Sequence, residues 1–168
     1  ARILGSEITE EDLVPILEKF LKDSINEIRI GALKNLHVFL LEVSSTTRRN
    51  FIKFIVQTYN DAQYDWRIKY VLAQNLGKYA QLFDSDVVYS EFLPMFFKFC
   101  NDSVNKVSET ASHSLADIMD KFSDDEEKRE QIIKNVRKNY LQSETFKKRQ
   151  QFLYMCGEAM KKKELFEQ

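Results

Sequence analysis

The chain contains few of the residues that form turns, cross-links and metal sites. Only four of its 168 residues are glycine and two are proline, too few for a strand-rich fold with many tight connections. The cysteines, Cys100 and Cys156, lie among apolar neighbours without a CxxC motif, so we expect buried, reduced thiols. The histidines, His37 and His113, stand in no metal-ligand motif, and we expect no metal at either. Helix is therefore the expected backbone structure.

Neither an excess of one charge nor a long apolar run is present. The 25 basic and 26 acidic residues give a net charge of −1, so no global basic field would draw the protein onto nucleic acid. The longest apolar run, Leu93–Phe97, is far shorter than the roughly 20 residues that span a bilayer, and no signal-peptide pattern opens the chain. We expect a cytoplasmic or nuclear location.

Motifs of the common enzyme classes are also missing. No GxSxG, HExxH or GxxxxGK[ST] pattern occurs. The acidic run Asp124–Glu127 is most simply the start of a helix, where carboxylates face the positive end of the helix dipole. We therefore expect no enzyme, no catalytic residue, no cofactor and no metal site.

What the sequence does contain is an internal repeat. The stretch DSINEIRIGALKNL (Asp23–Leu36) returns as DSVNKVSETASHSL (Asp102–Leu115), and seven of fourteen positions agree in kind at an offset of 79. Between them, Trp66–Leu76 matches the first copy at an offset of 40, and a weaker fourth copy lies at Phe146–Cys156. A period of about 40 residues is the length of a two-helix solenoid repeat.

Apolar spacing within each copy predicts two antiparallel helices joined by a polar turn. We predict an all-α fold, an α-solenoid of about four helical hairpins that forms a piece of a longer solenoid. The hairpins are expected at residues 9–43, 46–83, 85–122 and 123–162. The helices are expected at residues 10–22, 27–43, 47–60, 65–82, 86–100, 105–122, 124–141 and 145–160.

Local signals predict where helices begin. Thr9 precedes an acidic run, and Ser123 with Glu126 has the spacing of a capping box. Pro15 and Pro94 lie near the starts of equivalent helices, where a missing amide donor matters least or bends the first helix mildly.

The repeat also predicts a core. Leu36, Leu76 and Leu115 occupy equivalent positions and are expected to be buried. Phe97 aligns with the polar Glu18, so it is the aromatic residue expected to reach an exposed surface. In the first hairpin, two facing stripes are expected to pack together: Leu13, Ile16, Leu17, Phe20 and Leu21 on one helix, and Ile28, Ala32, Leu36, Phe39 and Leu40 on the other.

The residues around each turn resemble those of HEAT repeats. The first copy carries the full pattern, with Asp23 before the turn and then Ile28, Arg29, Ala32 and Leu36. The resemblance implies a ladder of Asp and Arg between neighbouring units. Because the third copy has Ser108 in place of the base, one rung of that ladder is expected to differ.

Longer stretches resemble regulatory and scaffold subunits of the 2A-type serine/threonine phosphatases, in particular those of the type 4 enzyme. They are Glu10–Leu40, Asp65–Leu76 and Lys147–Cys156, and Trp66–Lys69 is similar to the Trp-Arg-Val-Arg of the phosphatase 2A scaffold. The resemblance implies a non-catalytic scaffold that binds a type 4 or type 2A catalytic subunit and presents substrate proteins.

In this family, partners dock along the ridge formed by the turns inside the repeats. Here the resemblance places the ridge at Ser24–Glu27, Asn60–Arg67 and Asn101–Lys106. The candidate protein-binding residues are Asn26, Glu27, Asp65, Trp66, Arg67, Asn105 and Lys106.

Two alternatives stay open on the residues alone. A HEAT-type transport adaptor or a nucleic-acid-associated scaffold would share the repeat. The basic clusters Arg48–Arg49, Lys147–Arg149 and Lys161–Lys163 are interspersed with acidic residues, which favours solvated helix faces over a phosphate-binding track. For Trp66, too, the sequence leaves two interpretations open: its side chain packs in the groove between two units, or it forms an anchor for a partner together with Arg67.

Overall fold

The computed structural model describes residues 5–62 and 65–166 and, within that part of the chain, contains helices and no strand. Three of the eight helices contain a π-helical turn, and one is interrupted. In chain order they are α1 (Gly5–Ile8, Thr9–Leu13 and Val14–Leu21), α2 (Asn26–Leu41), α3 (Ser45–Asp61), α4 (Trp66–Leu82), α5 (Ser85–Val87, Val88–Phe92 and Leu93–Cys100), α6 (Asn105–Ser112 and Leu115–Asp120), α7 (Glu126–Val136 and Arg137–Leu141) and α8 (Phe146–Phe166).

The prediction of an all-α fold of HEAT-like helical hairpins is confirmed. Helix α1 packs on α2, and α5 packs on α6, each pair across a turn of a few residues. The chain divides into two compact units, Ala1–Asn75 and Leu76–Gln168. Among the described residues, no helix combines the length and apolarity needed to cross a bilayer.

Each of the two prolines follows a π-helical turn. In α1 the amide of Val14, one residue before Pro15, donates to the carbonyl of Thr9, and in α5 the amide of Leu93 donates to that of Val88. Since proline has no amide hydrogen and its ring crowds the preceding turn, the helix widens there by one residue and then continues. At both prolines, where a mild bend was expected, the structure shows a π-helical turn directly before the proline.

Two predicted helix starts are wrong. Thr9 is fully buried inside α1 and does not mark its start, because the helix already begins at Gly5. Ser123 does not form a capping box with Glu126. Asp125 caps α7 instead, and its carboxylate accepts a hydrogen bond from the Lys128 amide at 3.0 Å. That bond lowers the pKa of Asp125.

The core of the first unit is narrower than predicted. Leu21, Leu36 and Leu40 are buried, but Ile16 and Phe20 are 47% and 45% exposed. These two residues lie along one edge of the predicted stripe on α1, whereas Leu21 lies along the other edge, which faces the core. Ile28 is likewise 36% exposed, so it contributes less to the core than its repeat position predicts.

The second unit has an aromatic core. Phe92, Phe96 and Phe99 are fully buried, and the Phe92 ring lies 6.2 Å from the ring of Tyr79. Phe97 is half-buried and stacks on Tyr140 at 6.4 Å, so the expectation that it reaches an exposed surface is only partly met. Burial raises the pKa of the Cys100 thiol to about 12.

Candidate protein-binding ridge

Every turn inside a hairpin is built by a short polar side chain that accepts a hydrogen bond from the amide two residues on. The acceptors are Asp23, Asp65, Asp102 and Ser143, with distances of 2.8, 3.0, 2.8 and 3.2 Å. Asp and Ser favour such turns because their side-chain oxygens take the place of a backbone carbonyl. In the described chain, Asp23, Asp102 and Ser143 each lie three residues before the next helix, whereas Asp65 lies directly before α4.

In the first hairpin, Arg29 fixes the turn from inside helix α2. Its guanidinium donates to the Asp23 carbonyl and to the Asn26 side-chain oxygen. The Asn26 amide in turn donates to the Asp65 carboxylate of the second hairpin at 2.7 Å. Asp65 also caps α4, since it accepts from the amides of Arg67 and Ile68 at 3.0 and 3.4 Å. A continuous network thus joins the first two turns.

The network holds Trp66 and Arg67 at the surface. The Trp66 side chain is 46% exposed, and its ring lies tilted against Tyr70 at 6.5 Å. The Arg67 guanidinium lies 3.6 Å from the Glu27 carboxylate, and both side chains are mostly exposed, so this ion pair adds little stability. Trp66 therefore packs locally with one part of its ring and presents the rest to solvent.

These side chains form one shallow depression of about 470 Å³, which we call ridge site 1. It is lined by Asn26, Arg29, Asp61, Asp65, Trp66 and Arg67. Glu27 lies next to this depression, because its carboxylate pairs with Arg67. Five of the seven predicted residues therefore lie together: Asn26, Glu27, Asp65, Trp66 and Arg67. Gln63 and Tyr64 of the predicted second turn lie outside the described residues.

The other two predicted residues, Asn105 and Lys106, lie in the second unit, where both are exposed. Asn105 lines a separate groove of about 380 Å³, ridge site 2, together with Phe146 and Lys147. Phe146 is 70% exposed and starts α8 as Trp66 starts α4. The sequence alignment pairs Phe146 with Trp66, and that pairing was the available signal for this missed ridge residue.

In the third hairpin, where Ser108 stands in place of the arginine, a different residue binds the turn. Ser108 is buried and cannot reach the turn as Arg29 does, and its hydroxyl bonds the Asn105 carbonyl at 3.2 Å. Instead, the Lys147 ammonium from the fourth hairpin donates to the Asp102 carbonyl at 3.1 Å. A basic residue from the neighbouring hairpin, Lys147, thus makes the bond to the turn that Arg29 makes from within its own hairpin.

His113 has a carboxylate partner that its sequence neighbourhood did not reveal. Its Nδ1 lies 3.0 Å from the Glu158 carboxylate, which also accepts from Lys161. The Lys161 bond is the main cause that lowers the pKa of Glu158. In the part of the chain that is described, no group of His, Cys, Asp and Glu residues is arranged to hold a metal ion.

No protein-family model matches the chain. It is 38% identical over 111 residues to the serine/threonine-protein phosphatase 4 regulatory subunit 1 of Homo sapiens, and the proteins of that name from Mus musculus and Rattus norvegicus match to the same extent. The match covers 64% of this chain, and the chain spans 11% of the length of these relatives. The resemblance to a phosphatase regulatory subunit is thereby confirmed over the matched residues.

Proposed function

We propose that the chain is a non-catalytic scaffold segment that binds a serine/threonine phosphatase catalytic subunit, of type 4 or type 2A, through its hairpin turns. Ridge site 1 is the docking surface, with Trp66 and Arg67 as the residues that contact the partner. In this proposal the segment supplies no catalytic group and no cofactor, and it acts in the cytoplasm or nucleus.

The observation that supports the proposal most strongly is that hydrogen bonds to Asp65 order the backbone and side chains of ridge site 1. Asp65 accepts three hydrogen bonds, two from the start of α4 and one from Asn26, while Trp66 and Arg67 beside it stay exposed. Tryptophan and arginine are enriched among residues that dominate binding energy. A surface that is already ordered loses less conformational entropy when a partner binds.

The matched relatives support the same class of function. They are named as regulatory subunits of a phosphatase, and a regulatory role needs a binding surface rather than an active site. Stacked helical hairpins present such a surface along their turns.

The basic residues give little support to a nucleic-acid-binding scaffold. Arg48 donates to the carbonyls of Leu40 and Val43, and Arg149 donates to those of Ser143 and Glu144. These guanidiniums satisfy helix ends and turns, whereas a phosphate-binding track would direct several of them to solvent along one face.

Affinity capture with the full-length parent chain tests the proposal. Wild type and the Lys34→Glu control, altered at an exposed position in the middle of α2 away from ridge site 1, should retain the phosphatase catalytic subunit. Arg67→Glu should lose most of it. Recovery of a small GTPase or nucleic acid instead would support the transport adaptor or the nucleic-acid scaffold and contradict the proposal.

A further inference from the structure

Ridge site 2, in the second unit, is lined by three residues with carboxamide side chains and two with aromatic rings. They are Asn105, Gln150, Gln151, Phe146 and Tyr154. A carboxamide carries an N–H donor and a C=O acceptor, which are the two groups that a peptide backbone also carries. The lining of the groove is therefore suited to hydrogen bonds with the backbone of another chain.

Gln151 is buried and has an unused acceptor. The residue is 3% exposed, and its Nε2 donates to the Cys100 carbonyl at 2.9 Å. Because that carbonyl can only accept, the bond fixes which end of the carboxamide is nitrogen. Over the residues that the structure describes, the Gln151 Oε1 atom receives no hydrogen bond. Nearly all buried acceptors in proteins are paired, so we expect the donor to come from a molecule that enters the groove.

The unused acceptor favours an extended occupant over a helical one. Inside a helix each amide already bonds the carbonyl four residues back, so beyond its first turn a docked helix has no amide to offer. Successive amides of an extended segment point to opposite sides, so every second one can face Gln151. Main-chain bonds of this kind supply much of the affinity when proteins bind extended peptides.

Charge does not select the occupant of ridge site 2, whereas an exposed ring does. The charged residues of the lining, Glu109 and Lys147, have opposite signs, and the Lys147 ammonium already donates to the Asp102 carbonyl. Phe146 is 70% exposed at the start of α8, while Tyr154 is half-buried. A large apolar side chain that covered Phe146 would remove its ring from water, which is favourable.

We infer that ridge site 2 binds an extended segment of a partner protein. The segment donates a backbone amide to the Gln151 Oε1 atom and packs a large apolar side chain against Phe146. The exposed carboxamide of Asn105 is available to a further backbone group of the segment. This inference goes beyond the proposed function and does not depend on which partner binds ridge site 1.

Selection from random heptapeptides displayed on phage, with the immobilised parent chain as the target, supplies the probe. We expect the retained peptides to share one large apolar residue and to show no preference for either charge. Labelled synthetic copies then give dissociation constants by fluorescence anisotropy. Phe146→Ser should weaken their binding about tenfold, whereas the control Lys78→Glu, at an exposed position of α4, should change it less than about twofold.

Methylation of the peptide backbone tests the bond to Gln151 without altering the protein. Methyl groups placed on the peptide amides one at a time should weaken binding about tenfold at one position or more. In the Gln151→Met variant, checked for unchanged helix content, that penalty should shrink to about threefold or less, because the acceptor is gone.

Three results would each overturn the inference: no peptide retained, binding insensitive to Phe146→Ser, or an equal methylation penalty in wild type and Gln151→Met. The last result would mean that water alone satisfies Gln151. Arg67→Glu should leave peptide binding unchanged. Its effect on phosphatase capture is measured separately, so a failure at ridge site 2 leaves the proposed function standing.

Discussion

Asp65 both caps helix α4 and lines ridge site 1, so its substitution tests whether the hydrogen-bond network stabilises this surface. The carboxylate accepts from the amides of Arg67 and Ile68 at the start of α4, and from the side-chain amide of Asn26 in the first hairpin. The contribution of the side chain can be estimated from these three bonds.

The expected magnitude follows from the two kinds of bond. Loss of a helix N-cap costs about 1 kcal/mol, and loss of one further hydrogen bond costs about 1 kcal/mol. Asp65→Ala should therefore lower the free energy of unfolding by about 2 kcal/mol. Asp65→Asn keeps a capping oxygen but turns an amide towards the Asn26 donor, so it should cost about 1 kcal/mol.

Urea titration of the 168-residue chain, followed by circular dichroism and by fluorescence of its single tryptophan, Trp66, measures both values. The denaturant slope should stay unchanged, since neither variant alters the buried surface. If Asp65→Ala lay within about 0.5 kcal/mol of wild type, which is the usual effect of a surface substitution, the network would not hold the ridge and the reasoning would be refuted.

Three further outcomes follow from burial. Leu76→Ala should cost about 2–5 kcal/mol in urea titrations and Leu115→Ala clearly less, because Leu76 is fully buried and Leu115 lines an open groove; equal losses would contradict this. Gly77→Ala should cost about 1–3 kcal/mol, since a Cβ there would overlap the Asp117 side chain, and an unchanged midpoint would refute the close approach. Cys100 should resist iodoacetamide at pH 8 until the chain unfolds, because burial raises its pKa to about 12 and keeps the thiol protonated; rapid labelling of folded protein, measured by mass spectrometry, would show otherwise.

The repeat and its turns were predictable because they depend on local chemistry. The aspartates Asp23 and Asp102 recur at an offset of 79 because each must accept the amide two residues on, and such a short-range requirement is visible in one sequence. Helical spacing of apolar residues, which follows from backbone geometry, placed the helices close to their observed positions.

Contacts between hairpins were less predictable because they depend on side chains far apart in sequence. Nothing near Ser108 indicates that Lys147 reaches the Asp102 turn in place of the missing base. The interruption of α6 before Leu115 is equally hidden, since the repeat pattern continues through it without a proline or glycine. Phe146 was missed for a different reason: its likeness to Trp66 was visible, but only its observed exposure places it in ridge site 2.

The most direct test of the central claim is the dissociation constant between the parent chain and purified phosphatase catalytic subunit, measured for wild type and Trp66→Ala. The account predicts that Trp66→Ala, checked for unchanged helix content by circular dichroism, weakens binding by about tenfold, as removal of an exposed hot-spot tryptophan would. A dissociation constant within about twofold of wild type, in a variant that remains folded, would contradict the assignment of ridge site 1 as the docking surface.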